Sequence, residues 1–319
     1  MRIYALKGYL LLVLLLTAPL VIAEDGPGRE LRIAAMINDV ETITQLLDAG
    51  VSPDAPNENG KTPLMMAVES GSMDAVVLLL SRGADVNHAT ISGCTALTFA
   101  AENALPVMTA LLLERGADLH ARTRGGWNAL VIAARYGLTD MVEQLLHMGA
   151  DPSDGDKDGN SAVLLAAQRG HLATVELLLA SGATPDQPND QGVTPLMIAA
   201  EGGHRQIVAT LLEAGAEVTG RDQAGATALV WAVDREDAEM VQLLLSAGSD
   251  PNTSDEGQVT PLMHAVLRGS SELAGLLLEA GADPEQRDQE GRSALDMAKQ
   301  RGEKSLIELL TAQQEPAEG

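Results

Sequence analysis

Residues 59–87 read NGKTPLMMAVESGSMDAVVLLLSRGADVN, and the punctuation of this stretch decides the fold. Thr62 carries the short side-chain oxygen that caps a helix start, and Pro63 suits the first helical position, where its missing N–H is not needed. An apolar stretch runs from Leu64 and breaks at Gly71. A second stretch, Ala75 to Arg82, ends on Gly83, where a helix C-terminus calls for a left-handed residue without a Cβ penalty. The segment predicts a loop followed by two short antiparallel helices.

The same punctuation returns every 33 residues. Gly50, Gly83, Gly116, Gly149, Gly182, Gly215, Gly248 and Gly281 form one series, and Leu31, Leu64, Leu97, Leu130, Val163, Leu196, Leu229, Leu262 and Leu295 a second with the same gap. Two positions before each leucine from Leu64 onward stand Thr62, Thr95, Asn128, Ser161, Thr194, Thr227, Thr260 and Ser293, all suited to capping a helix. Two independent series locked to one period over most of the chain are the mark of a repeat architecture.

The unit resembles the ankyrin repeat family over residues 30 to 311, and 59–87 and QGVTPLMIAAEGGHRQIVATLLEAGAEV (191–218) carry its motif almost in full. The resemblance implies an all-α repeat solenoid: helix pairs in a curved stack with projecting β-hairpin loops. It comprises nine units, the first (30–56) and last (288–311) acting as caps. One departure recurs. The family's usual His after "TPL" is replaced by Met65, Thr98, Val131, Leu164, Met197, Val230, Met263 and Asp296, so apolar packing is expected to stand in for its hydrogen bonds.

Ahead of the repeats, Arg2 and Lys7 precede the apolar run GYLLLVLLLTAPLVIA, and Val21-Ile22-Ala23 supplies the small residues of a cleavage site. Residues 1–23 are therefore expected to be a signal peptide, 24–29 a short linker and 312–319 a disordered acidic tail. The rival reading of the apolar run is an uncleaved anchor. Export to the periplasm follows from a cleaved signal, with secretion as the alternative, and no membrane insertion is expected after its removal. Cys94 is the only cysteine, so stability must come from packing rather than disulfides. The formal net charge is -24, which disfavours nucleic acid and anionic membrane surfaces and favours a partner with a basic patch. Nine stacked units suffice for a monomer.

The run DPSDGDKDGN (151–160) alternates Asp154, Asp156 and Asp158 up to Gly159, as a calcium loop begins. In register, however, Gly159 matches the hairpin glycines Gly60, Gly93, Gly126, Gly192, Gly225 and Gly291, and Asp156 matches Asn57, Thr90, Thr123, Asn189, Asp222, Asp255 and Asp288. The twelfth position, where a calcium loop needs a bidentate Glu, is Leu165. The run reads as a solvated hairpin. His171 and His204 follow glycines in inter-helix turns, and His264 shares a slot with Met66, Phe99, Ile132, Leu165, Ile198, Trp231 and Met297 that reads as core. No spacing fits a metal site or a nucleophile–base pair, so neither a cofactor nor catalysis is expected.

Function is expected at positions the repeat leaves free: the residues after each hairpin glycine and the C-terminal pair of each first helix, such as Glu201/Gly202, Asp234/Arg235 and Leu267/Arg268. Two of the few aromatic residues, Trp127 and Tyr136, fall on such positions of one unit, with Arg124 and Arg135 beside them and Arg169 one unit on. Aromatic and Arg side chains dominate interface hot spots, so these five residues are the expected partner-binding site. The bland alternative is that Trp127 folds over a neighbouring hairpin. In unit eight the hairpin glycine is displaced to Gly257 with Gln258 in its place, which predicts a reshaped loop, and Cys94 is expected to be exposed on a hairpin tip. The chain thus reads as a non-enzymatic binding scaffold. A dedicated accessory or immunity partner of one exported enzyme or toxin, and a cryptic metal-dependent protein or enzyme, are the alternatives.

Overall fold

A computed structural model describes residues 26–312. The expected signal peptide, residues 24 and 25 of the expected linker and the tail from 313 lie outside the described residues. Packing divides the chain after Thr90 into two compact bodies. The first holds α1 (Gly26–Met36), α2 (Val40–Asp48), α3 (Pro63–Glu69) and α4 (Met73–Ser81). Residues 26–29 are thus the first turn of α1 rather than linker, because the buried Leu31, Ala34 and Ala35 draw the whole helix onto α3. Arg32 is buried with them and donates to the carbonyls of Ala55 (3.0 Å) and Pro56 (2.8 Å), tying α1 to the first loop.

The second body continues the pattern with α5 (Ala96–Glu102), α6 (Pro106–Glu114), α7 (Ala129–Arg135), α8 (Thr139–His147), α9 (Ala162–Gln168), α10 (Leu172–Ala180) and α11 (Pro195–Gly202). It goes on through α12 (Arg205–Glu213), α13 (Ala228–Asp234), α14 (Ala238–Ser246), α15 (Pro261–Arg268), α16 (Ser271–Glu279), α17 (Ala294–Arg301) and α18 (Lys304–Ala312). First helices pack on the first helices of neighbouring repeats and second helices on second helices, giving two layers. Between them runs the core. Leu112, Leu145, Leu178, Leu211, Leu244 and Leu277, one per second helix, are fully buried. Each contributes about 2 kcal/mol by leaving water.

The caps form almost as the sequence predicts. Thr62, Thr95, Asn128, Ser161, Thr194, Thr260 and Ser293 each accept a hydrogen bond from the third helical N–H. Thr227 is the exception and makes no cap hydrogen bond. The residues that replace the family's His are less inert than expected. The N–H of Thr95 donates to Thr98 Oγ1 and that of Ser293 to Asp296 Oδ2 (2.9 and 3.1 Å). The N–H groups of Thr194 and Thr260 point at the sulfurs of Met197 and Met263, both at 3.5 Å. Four of the replacements therefore give the N–H of the cap residue an acceptor, and packing alone stands in only elsewhere.

The expected β-hairpins are tight turns. Among the described residues there is no strand, only an isolated bridge between Gly155 and Ser161. The arms cannot lengthen, because the helix cap comes two residues after the tip glycine, as in Gly126-Trp127-Asn128. Each turn is instead closed from within. Asp156 Oδ1 accepts from the N–H groups of Asp158 (3.0 Å) and Asn160 (2.9 Å), and Asn57, Asn189, Asp222 and Asp288 repeat the arrangement. Successive tips are joined by one main-chain hydrogen bond each: Arg124 to Ser92, Lys157 to Gly125, Asp190 to Asp158, Gln223 to Gln191, Glu256 to Ala224 and Gln289 to Gly257. The close approach explains the tip glycine. A Cβ on Gly126, whose φ is +79°, would lie 2.5 Å from the Lys157 nitrogen.

The eighth turn is not reshaped. Gln258 takes up the left-handed φ of +59°, its N–H bonds to the Asp255 carbonyl, and Asp255 still closes on Val259. A side chain bears the conformation that glycine bears in the other turns.

Candidate protein-binding face

Main-chain bonds link successive hairpin tips, the first helices form one layer, and each residue of the expected site falls on a tip or at the C-terminal end of a first helix. Trp127 is half-buried. Its ring lies along Gly125 of its own loop and beneath the Arg135 guanidinium, 4.4 Å from the ring centre. Tyr136 caps α7 and Arg169 caps α9 one period later, both exposed. Arg124 is exposed and gives its main-chain N–H to the tip ladder. The structure therefore joins Trp127 with Arg135 by a cation–π contact, and sets Tyr136, Arg124 and Arg169 outside that stack.

The slot read as core is not uniformly so. Phe99, Ile132, Leu165, Ile198 and Met297 are buried, whereas Met66, Trp231 and His264 are only partly covered. Trp231 is held in place by its Nε1–H, which donates to Asp222 Oδ2 at 3.0 Å. Its ring separates two hollows. One, of about 400 Å³, is lined by Glu201, Trp231, Asp234, Arg235 and Arg268. The other, of about 370 Å³, lies between the fifth and sixth hairpins, with Leu164, Val193 and Ile198 on its floor and Asp158, Asp190 and Gln168 on its rim. Trp231 reaches it as a wall.

His264 sits beside the first hollow, between two carboxylates. Its Nδ1 is 3.1 Å from Asp234 Oδ1, and Nε2 faces Asp255 Oδ2 at 3.5 Å, a charge contact too long for a good hydrogen bond. Burial alone would lower the pKa of His264, but the hydrogen bond and charge of Asp234, with Asp255 behind them, raise it above its ordinary 6.5. Asp234 shows the mirror image. Burial pushes it up, and the bonds and charges of His264 and Arg268 outweigh this and hold it below 3.8. Arg268 lies 3.0 Å from Asp234.

The remaining candidates are structural. His171 packs its ring against Gly137 of the preceding repeat and bonds the Arg135 carbonyl through Nε2 (3.1 Å), and His204 packs likewise on Gly170. In the aspartate run, Asp154 is engaged by Arg122 and Asn128, and Asp156 by its own turn. Arg122 also donates to the carbonyls of Gly126 and Gly155, both at 2.8 Å, clamping two turns. Cys94 is half-buried beside Ser92 rather than exposed. Among the described residues no group of His, Cys, Asp and Glu is arranged to hold a metal, and no helix is long and apolar enough to cross a membrane.

Models of the family described as "Ankyrin repeats (3 copies)" match the chain in overlapping windows from residue 31 to 318. The chain is an ankyrin repeat protein. No curated protein matches it. Ankyrin repeats generally mediate protein–protein interaction, so the side carrying the tips and first-helix ends is the face to consider in this ankyrin repeat protein. Register had marked Glu201, Asp234, Arg235 and Arg268 as free positions. It missed Trp231 and His264, whose signal was an indole N–H and an imidazole in a slot otherwise aliphatic, thioether or phenyl.

Proposed function

We propose that this ankyrin repeat protein is a non-enzymatic scaffold that holds another protein, one presenting a basic patch, on its tip and first-helix face. The observation that carries this reading is the division of labour within each repeat. Closure, ladder and core use fixed residues, while the half-buried side chains after the tip glycines and the mostly exposed helix-end side chains change from repeat to repeat. The charge of -24 supplies the complement to a basic partner. Trp127, Tyr136, Arg124, Arg135 and Arg169 form one contact region on this face. The chain acts as a monomer and is exported to the periplasm by its leading segment, in which Arg2 and Lys7 precede the apolar run. Export is tested by N-terminal sequencing of the purified protein, which should begin at Glu24.

The binding reading is tested by affinity capture from the native envelope extract, with the parent chain and a Trp127→Ala/Tyr136→Ala variant as baits. A partner that the parent retains in low salt, loses in high salt and that the still-folded variant fails to hold is the expected result. Capture of nothing by the parent would remove the scaffold reading. Equal capture by both baits would move the contact region away from Trp127.

A further inference from the structure

We infer that the hollow between the fifth and sixth hairpins is a receptor for a single arginine side chain presented by the partner protein. The inference rests on the scaffold reading and adds the chemistry of the contact. Leu164, Val193 and Ile198, each less than a tenth exposed, make an apolar floor, and Trp231 stands over it as an aromatic wall. The wall is rigid before anything binds, because the indole N–H is anchored on Asp222, whose other oxygen already closes its own turn. The volume of about 370 Å³ equals about a dozen waters, at roughly 30 Å³ each, enough for one long side chain and too little for a folded element.

The rim selects the charge. Asp158 and Asp190 stand on adjacent tips joined by the Asp190-to-Asp158 main-chain bond, both exposed, and neither makes an ion pair among the described residues. Gln168 adds an amide at the same rim, and the lining includes no lysine or arginine. The hollow on the far side of Trp231 differs, since Arg235 and Arg268 balance Glu201 and Asp234 there. An apolar floor, a fixed aromatic face and paired carboxylates match an aliphatic stem ending in a flat cation. A guanidinium fits better than an ammonium, because it is more weakly hydrated, stacks on rings and bonds carboxylates through two donors at once.

Two tryptophans give two indole N–H resonances in the isotopically labelled full chain, so Trp231 reports and Trp127 serves as the internal control. The probes are Nα-acetyl-arginine methylamide, its neutral citrulline and cationic lysine counterparts, and free L-arginine. The arginine amide should move the Trp231 resonance saturably. The citrulline amide should leave it in place, and the lysine amide and free L-arginine should bind more weakly, the latter because its carboxylate faces Asp158 and Asp190. An Asp158→Asn/Asp190→Asn variant with unchanged melting and unmoved starting resonances should lose about tenfold in affinity for the arginine amide. An unmoved Trp231, equal binding of the citrulline amide, tighter binding of lysine or free arginine, or full affinity in the Asn variant would each overturn the inference. A captured partner held equally by parent and Asn variant would sink the arginine receptor while leaving the scaffold standing. A parent that binds the arginine amide yet captures no partner would sink the scaffold alone.

Discussion

Repeats four to six and repeats seven to eight share one template and differ in how often they break it. From Thr123 to Gly215 every left-handed tip and inter-helix position is glycine, each first-helix cap is bonded, and the inward slot holds Ile132, Leu165 and Ile198. From Thr227 to His264 the cap of Thr227 is unmade, Glu236 and Gln258 bear left-handed backbone, and Trp231 and His264 fill the slot. The unmade cap and the two left-handed side chains work against local stability, and Trp231 lines both hollows. Breaks in local consistency that gather around one surface mark residues chosen for something other than folding. The regular stretch shows the converse. Trp127 stands at a nominally free position, yet lies against its own turn beneath Arg135.

The comparison breaks if the template is not costly to violate. Gly126→Ala should cost about 3 kcal/mol in urea unfolding, since the added Cβ meets the Lys157 nitrogen as well as left-handed strain. A loss under about 1 kcal/mol would mean the tips tolerate side chains freely and that Gln258 signifies nothing. The two tryptophans sharpen the contrast further. Trp231→Ala should cost about 2 kcal/mol, removing a partly buried ring and the donor to Asp222 Oδ2, while Trp127→Ala should cost less than about 1 kcal/mol. Thermal melts of the two variants decide it, and equal losses would erase the distinction.

Repair is the next test. Gln258→Gly and Glu236→Gly should each stabilise by about 1 kcal/mol, because glycine relieves the left-handed conformation that the side chains bear at +59° and +61°. Destabilisation in either would show that the side chain itself holds the turn. The smallest effect concerns pH. His264 has a raised pKa, so its ion-pair stabilisation is full below 6.5 and fades as pH rises through the folded-state value. Asp234, with a lowered pKa, contributes above 3.8 and loses that contribution as pH falls through its folded-state value. His264→Met, the residue of the same slot in repeat nine, should remove about 1 kcal/mol of the decline on the alkaline side and also shrink the acid-side loss from Asp234, which keeps only Arg268 to hold its pKa down. Melting temperatures across pH 6 to 9 on both proteins give the result, roughly spanning the titration of His.

The period, the caps and the glycines were legible because each follows from backbone chemistry that acts within one repeat. Thr62, Pro63 and Gly83 need no knowledge of neighbours to be read as a start and a stop. Depth was not legible. Trp231 and Ile132 occupy the same register position, and only the side chains supplied by the repeats on either side make one a wall and the other a core residue. The conformation at Gln258 was misread for a related reason. Gly257 suggested a shifted turn, but Asp255 and the ladder bond from Gln289 hold the original frame. The linker boundary failed at Gly26 because buried residues further along α1 extend the helix back beyond where the motif begins.

The tip ladder is made of main-chain groups alone, and turn closure draws on one Asn or Asp, or on Thr123 in the fourth repeat, behind the tip. Substitutions at Lys61 or Trp127 therefore leave those bonds unaltered. A lineage carrying this chain can exchange one tip residue after another, drifting from partner to partner, without ever passing through an ancestor that fails to fold.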